Sequence, residues 1–215
     1  MRCKRFFIAV LVCTGLMASV QAADLRIAAA ANFNSTLKKL LVLYEAQSGN
    51  STVVSSGSTG KLYAQIVNGA PFDIFLAADA RRPQLLEAAL LIVPDSRITY
   101  AKGRLALWST TDILNGADSF PDINGIKYLA IANPRLAPYG VAARQALESL
   151  GLWNTVQSRL VRGESTSQAY QFVASGNATA GFIGASQIPA NTGSHWLIPE
   201  HLHQPLEHQL VVLHD

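Results

Sequence analysis

Ser55-Ser56-Gly57-Ser58-Thr59-Gly60-Lys61 stands between an apolar strand signal, Thr52 to Val54, and a run carrying Leu62, Tyr63, Ile66 and Val67 at helical spacing. Such a run of hydroxyl and glycine residues predicts a strand-to-helix turn, with the helix beginning near Gly60. The first N–H groups of a helix have no partner inside it. The helix dipole places partial positive charge at the same end, so the turn is a natural seat for an anion. Gly60-Lys61 imitates the close of a nucleotide P-loop. That motif requires a Gly five residues before Gly60 and a Ser or Thr after Lys61. Ser55 and Leu62 occupy those places, which excludes it. A single polar turn of this kind is more often just a turn, so its recurrence decides the matter.

The surrounding chain repeats the pattern. Leu25 to Ala30 reads as a buried strand running into Ala31-Asn32-Phe33-Asn34-Ser35, then a helix with Leu37, Leu40, Leu41 and Tyr44 inward, closed by Gly49. The second unit stops at Asn68-Gly69. A strand from Asp73 to Ala77 follows, and Asp79 caps a helix with Pro83 in its first turn and Leu85, Leu86 and Ala89 on its face. Three consecutive strand–helix units predict a parallel sheet with right-handed crossovers.

Near residue 97 the rhythm changes. Arg97 to Ala101 and Arg104 to Ser109 read as strands, either a hairpin or one long segment crossing to a second lobe. A second series begins with a strand from Tyr128 to Ala132, the turn Asn133 to Gly140, and a helix with Ala143, Ala146, Leu147 and Leu150 inward. A helix from Leu152 to Leu160, a short extended piece, Gly163-Glu164-Ser165-Thr166-Ser167, another helix and a strand from Ala180 to Ile183 follow. The pieces from His195 onward, ending in Gln209 to Leu213, are expected to return to the first sheet. The domains are therefore 1–22 as a leader, 23–101 with 193–215 as a discontinuous first lobe, and 102–192 as the second.

The leader reading rests on basic Arg2, Lys4 and Arg5, an apolar stretch from Phe6 to Met17, and Val20-Gln21-Ala22 as a cleavage pattern. The stretch is short for a membrane span. Cys13 lacks the small residue expected directly ahead of a lipidated cysteine. Cleavage near Ala22 predicts an exported, periplasmic protein. The leader's three basic residues, out of 17 Lys and Arg against 14 Asp and Glu, carry the whole formal charge of +3. What remains is neutral, so the basic pI argues for neither nucleic acid nor anionic membranes. Both cysteines, Cys3 and Cys13, leave with the leader, which excludes disulfides and thiol chemistry.

Four junctions now share one chemistry: Ala31-Asn32-Phe33, Gly57 to Gly60, Pro138-Tyr139-Gly140 and Glu164 to Ser167. Each offers backbone N–H groups and a short donor, and none carries a clamping Arg or Lys. In open α/β sheets, ligands sit beyond the carboxyl ends of the strands. Hydrogen bonds to a charged group contribute about 1.5–3 kcal/mol each. Roughly seven donors give a gross 10–20 kcal/mol before dehydration and closure are subtracted. A micromolar-to-nanomolar Kd, about −8 to −12 kcal/mol, is consistent with that. A donor-only cage suits a fully deprotonated tetrahedral oxyanion. Glu164 is expected to face solvent, with Ser165 and Thr166 toward the anion, and Lys61 to lie on the outer helix face.

The ordered motifs Ala-Ala-Ala-Asn-Phe, Ser-Ser-Gly-Ser-Thr-Gly, Gly69-Ala70-Pro71-Phe72-Asp73-Ile74-Phe75, Ala77-Ala78-Asp79 and Asn133-Pro134 through Ala137-Pro138-Tyr139-Gly140 resemble the periplasmic molybdate-binding proteins of ABC importers. The likeness runs from about Asp24 to Leu213. It implies an α/β fold of two doubly wound lobes with mixed, mainly parallel sheets joined by extended hinge segments, the type II periplasmic-binding-protein arrangement. It further implies molybdate or tungstate as ligand, no catalysis, no cofactor, a monomer, and a membrane permease as partner. By position, the anion contacts carried over are Ala31, Asn32, Ser58, Thr59, Tyr139 through its backbone, and Thr166, with no direct protein–metal ligand. Gly184 stands where some members place a tyrosine hydroxyl, so the chain resembles the branch using Asn in the first turn. Members continue into a terminal helix, which implies a first lobe lacking it here.

Two other readings stay open on sequence: a receptor for another tetrahedral oxyanion such as sulfate, and a two-lobed hydrolase or transferase. The second lacks a nucleophile elbow around Ser194-His195. His195, His201, His203, His208 and His214 lack zinc-site spacing and are expected as solvated loop residues.

Overall fold

The computed structural model describes residues 24–114, 120, 122 and 125–214; the leader and its cleavage site lie outside them. β1 (Leu25–Ala30) is buried along its second half, as a strand covered on both faces must be. A 3-10 turn (Ala31–Phe33) passes into α1 (Asn34–Ser48), which ends at left-handed Gly49, φ 71°, whose N–H bonds Glu45 O at 3.0 Å. β2 (Thr52–Gly57), α2 (Thr59–Val67), β3 (Ile74–Ala77) and α3 (Arg81–Ala88) complete three units. Asp79 Oδ1 accepts from Arg82 N–H at 3.1 Å, so it caps α3 as the sequence predicts.

The segment after residue 97 is a crossing, not a hairpin. β4 (Ile98–Gly103) and β5 (Leu105–Ser109) are separated by Arg104 alone and belong to different sheets. The second lobe continues with β6 (Leu129–Ala132), α4 (Pro138–Ser149), the single turn α5 (Trp153–Val156), β7 (Leu160–Gly163), α6 (Thr166–Ala174), β8 (Ala180–Gly184) and β9 (Ser194–Leu197). β10 (Leu206–Val212) then returns to the first sheet.

The two sheets share one plan. The first runs β2-β1-β3-β10-β4 and the second β7-β6-β8-β5-β9. In each, three parallel strands are followed by one antiparallel strand, β10 or β5, that has just arrived from the other lobe. The lobes thus brace each other through the fourth strand of both sheets.

Several expectations need correction. β9 pairs with β5 in the second sheet, so the return crossing falls between Leu197 and Leu206, not near 192. Trp196 and Ile198 accordingly pack in the second lobe's core. Of the α1 stripe, Leu37 is buried and Leu41 packs beside it, but Leu40 and Tyr44 are 50% and 37% exposed. Glu45 ties that end of α1 to the edge strand β2 by accepting Thr52 N–H at 2.9 Å, and among the described residues no strand lies beyond to bury it. On α3, Pro83 and Leu86 face inward while Leu85 and Ala89 face out. Val67 likewise points to solvent. The helix expected from Leu152 to Leu160 shrinks to α5 and a 3-10 turn, Gln157–Arg159.

Candidate anion site

All four junctions open onto one small cavity. Ala31, Asn32, Ser58, Thr59, Tyr139 and Thr166 all line it, four residues from the first and second turns and two from the opposite lobe. Among the described residues that line it, none carries a charge. It lies past the carboxyl ends of β1, β2, β6 and β7, where the loops of a doubly wound sheet leave a crevice.

Each turn prepares its donors differently. At the first, Ser167 Oγ of the second lobe donates to Ala31 O at 3.2 Å, and Ser186 Oγ donates to Asn32 O at 3.0 Å. Both carbonyls are thereby held by the opposite lobe. At the second, Ser58 is extended, φ −70° and ψ 143°, and its hydroxyl makes no cap bond. Ser58 Oγ is buried without a partner in the protein. Thr59 is 1% exposed, and its Oγ1 accepts from Ala78 N–H at 3.1 Å. That acceptance leaves the Thr59 hydroxyl proton free to donate.

At the third turn, Pro138 is the first residue of α4 and has no N–H, so Tyr139 supplies the first donor that the helix cannot use. A Cβ at Gly140 would overlap Ala132 O, which is why only glycine lets α4 start so close to β6. Burial raises the Tyr139 phenol above its ordinary range and keeps it neutral. At the fourth, Ser165 Oγ accepts Gln168 N–H at 3.4 Å as the cap of α6, and Thr166 is buried at the helix start. Ser165, expected to serve the anion, is therefore engaged in capping.

Lys61 departs from its expected place. Its ammonium reaches Glu164 across the cleft at 3.0 Å, both side chains being more than half exposed. Glu164 does face solvent, but as half of an inter-lobe ion pair. The two sit on a wider, solvent-open hollow that shares Gly57, Ser58 and Ser165 with the cavity. Gly60 N–H donates to Leu136 O at 2.8 Å, a second bond across the lobes.

His208, expected as a solvated loop residue, is instead buried in a strand. It lies on β10, 4% exposed, with Nε2 at 3.2 Å from Tyr139 Oη. Burial pushes its imidazole down to about 4, against the opposing field of Asp79. The signal was the alternation at the start of β10, which puts position 208 on the buried face with Leu206 and Glu207 outward. Among the described residues no group of three or more His, Cys, Asp or Glu could hold a metal.

Comparison with known proteins gives a consistent picture. The model of the family described as bacterial extracellular solute-binding protein matches residues 25–215. Molybdate-binding protein ModA of Azotobacter vinelandii is 43% identical over 205 residues, 93% of this chain and 81% of that protein. Its counterpart in Rhodobacter capsulatus is 38% identical over 200 residues, 93% of this chain and 79% of that one. The solved structure of the Azotobacter vinelandii periplasmic molybdate-binding protein matches with a TM-score of 0.82 at 40% identity, covering 88% of this chain and 85% of the other.

Proposed function

Because the chain belongs to the bacterial extracellular solute-binding proteins, on the branch of the periplasmic molybdate-binding proteins, we propose that its cleft captures molybdate, and tungstate with it, for delivery to the membrane permease of an ABC importer. Proteins of this family bind solutes for transport, and the protein is not an enzyme. In this reading it works in the periplasm after loss of the leader near Ala22, as a monomer and without a cofactor. Ala31, Asn32, Ser58, Thr59, Tyr139 and Thr166 hold the oxyanion.

One observation carries the reading: an uncharged cavity between two lobes in which Ser58 Oγ is buried without a partner and the Thr59 hydroxyl proton is uncommitted. A buried unsatisfied donor costs about 1–3 kcal/mol, so a ligand that accepts from it recovers that cost on binding. Helix starts from both lobes add their dipoles without a countercharge. A fully deprotonated anion accepts from every donor. Hydrogen phosphate brings a proton that would need an acceptor, and no carboxylate lines the cavity.

Calorimetric titration of the leaderless chain with molybdate, tungstate, sulfate and phosphate tests the assignment. Molybdate and tungstate are expected to bind with Kd between about 1 nM and 1 μM. Sulfate, whose bonds to oxygen are shorter, makes longer and weaker contacts with donors spaced for molybdate and is expected at least about tenfold weaker. Sulfate binding as tightly as molybdate would transfer the site to the other oxyanion, and silence with all four would refute it. Molybdate uptake into vesicles carrying the permease and its ATPase tests delivery.

A further inference from the structure

Tyr139 is expected to serve the anion through its backbone, which leaves its hydroxyl and the buried imidazole behind it unexplained. Tyr139 Oη sits 3.2 Å from His208 Nε2 on one side and 3.5 Å from Asn32 Nδ2 on the other. The three residues come from α4 of the second lobe, from β10, and from the first turn of the first lobe. Room for them is built in on both sides. A Cβ at Gly103, at the crossing between the lobes, would overlap both Tyr139 Oη and His208 Nε2. One at Gly184 would stand 3.3 Å from Asn32 Cβ and from Tyr139 Cζ. His208 Nδ1 is buried with no partner, so among the described residues Tyr139 makes the hydrogen bond that holds the ring.

The directions of these bonds follow from the donors. Asn32 Nδ2 donates to Tyr139 Oη, so the Tyr139 hydrogen turns to its other hydrogen-bond partner among the described residues, His208 Nε2. That requires the neutral imidazole carrying its hydrogen on Nδ1. The groups around it favour a neutral ring, and the hydrogen on Nδ1 is left without a partner, at the cost of one buried unsatisfied donor. Tyr100 on β4 packs against it as a neutral phenol, ring centroids 5.7 Å apart and tilted by 49°, Tyr139 is neutral, and burial outweighs the carboxylate of Asp79. The Asn32 contact is long, so the amide is guided rather than clamped, with its second N–H left for the cavity it lines.

We propose that His208 is a positioning residue of the anion site: by accepting the Tyr139 hydroxyl proton it sets the direction of a three-residue chain that aims the Asn32 amide donor at the bound oxyanion. The proposal rests on the cavity being the oxyanion site described above. A proton on Nε2 would reverse the chain, since the imidazole would then donate to Tyr139 and turn the hydroxyl hydrogen against the Asn32 amide. His208 thus acts on the ligand only through two intermediaries and never touches it.

The test is a double-mutant cycle on the leaderless chain, with molybdate titrated calorimetrically at pH 7.5 and melting followed in parallel. His208→Phe and Tyr139→Phe are each expected to raise Kd about five- to tenfold, the effect of one neutral hydrogen bond. The double variant is expected to bind no more weakly than the worse single one, because both cut the same chain. His208→Gln, whose amide oxygen reaches the place of Nε2, is expected within about twofold of the unaltered protein, even if its melting temperature drops. Losses that multiply in the double variant, or an unchanged Kd in His208→Phe, would overturn the proposal. So would a His208→Gln variant as weak as Tyr139→Phe, and that pair suffices if His208→Phe does not fold. Absence of molybdate binding in the unaltered protein would instead refute the assigned function and is read before any variant.

Discussion

Replacing Thr59 by Val separates two duties of a single hydroxyl. Val matches the shape of Thr but has neither donor nor acceptor, and the site is 1% exposed, so water cannot stand in. In the bound state the oxyanion loses one charge-assisted bond, about 1.5–3 kcal/mol, which raises Kd roughly 10- to 150-fold. Independently of ligand, Ala78 N–H loses its acceptor at 3.1 Å. An orphaned buried donor costs about 1–3 kcal/mol. For a chain of this size that lowers the melting temperature of the ligand-free protein by about 2–4 °C per kcal/mol. Ala78 and Thr59 belong to the same lobe, so this loss is present whether or not the cleft is closed. Thr59→Ser retains the hydroxyl and is expected to keep both properties near their original values. Calorimetric titration reads the first effect and scanning calorimetry without ligand reads the second. A Thr59→Val protein that melts lower but binds molybdate within threefold of the original would show that the hydroxyl points away from the ligand.

Gly60→Ala places a Cβ 2.7 Å from Leu136 O of the opposite lobe, where a backbone bond now joins the two. It is expected to weaken binding about tenfold or more while leaving ligand-free melting within a few degrees, since overpacking of about 1–3 kcal/mol arises only on closure; equal affinity would refute the contact. Lys61→Ala removes an exposed cross-cleft pair, and such pairs contribute about 0–1 kcal/mol. A rise in Kd of no more than about fivefold is expected, vanishing at 1 M salt where charges are screened within about 3 Å; a larger or salt-independent loss would place Lys61 in direct contact with the ligand. His208 stays neutral in the fold down to about 4, whereas the unfolded chain protonates near 6.5. Between those values the unfolded state holds the extra proton, so stability falls as pH falls, by about 3 kcal/mol over the window. Melting curves of His208→Gln should lack that component, and parallel pH profiles for the two proteins would refute it.

The order of strands and helices in the first lobe was readable because each unit carries its own punctuation, such as Gly49, Asn68-Gly69 and Asp79. The cavity was readable for the same reason. Its donors sit at residues 31–32, 58–59, 139 and 166, all in short polar runs directly after apolar strands, where a sheet must release the chain. Partnerships between distant residues left no comparable mark. Lys61 and Glu164 are each ordinary surface charges until folding brings them together across 103 positions. β9 and β10 both alternate, and nothing local in Ser194–Leu197 says that it joins β5 and not β3. Lys102-Gly103 fitted a turn or a crossing equally well, and the glycine proves to be needed for space beside Tyr139 and His208. Helical phase failed on α1 because phase says which side faces the sheet, not how far the sheet extends.

β10 wedges between β3 and β4, yet it is made more than a hundred residues after β3. A ribosome producing this chain releases every strand of the second sheet, residues 105–197, before the missing fourth strand of the first emerges. Non-local pairings of this kind form late because the loop must close before any contact rewards it. The amino-terminal half therefore waits, its parallel strands unsealed, until nearly the whole polypeptide is available. Pulse-labelled amide exchange during refolding should find β5, β6 and β8 protected ahead of β3, and the reverse order would contradict this sequence of events.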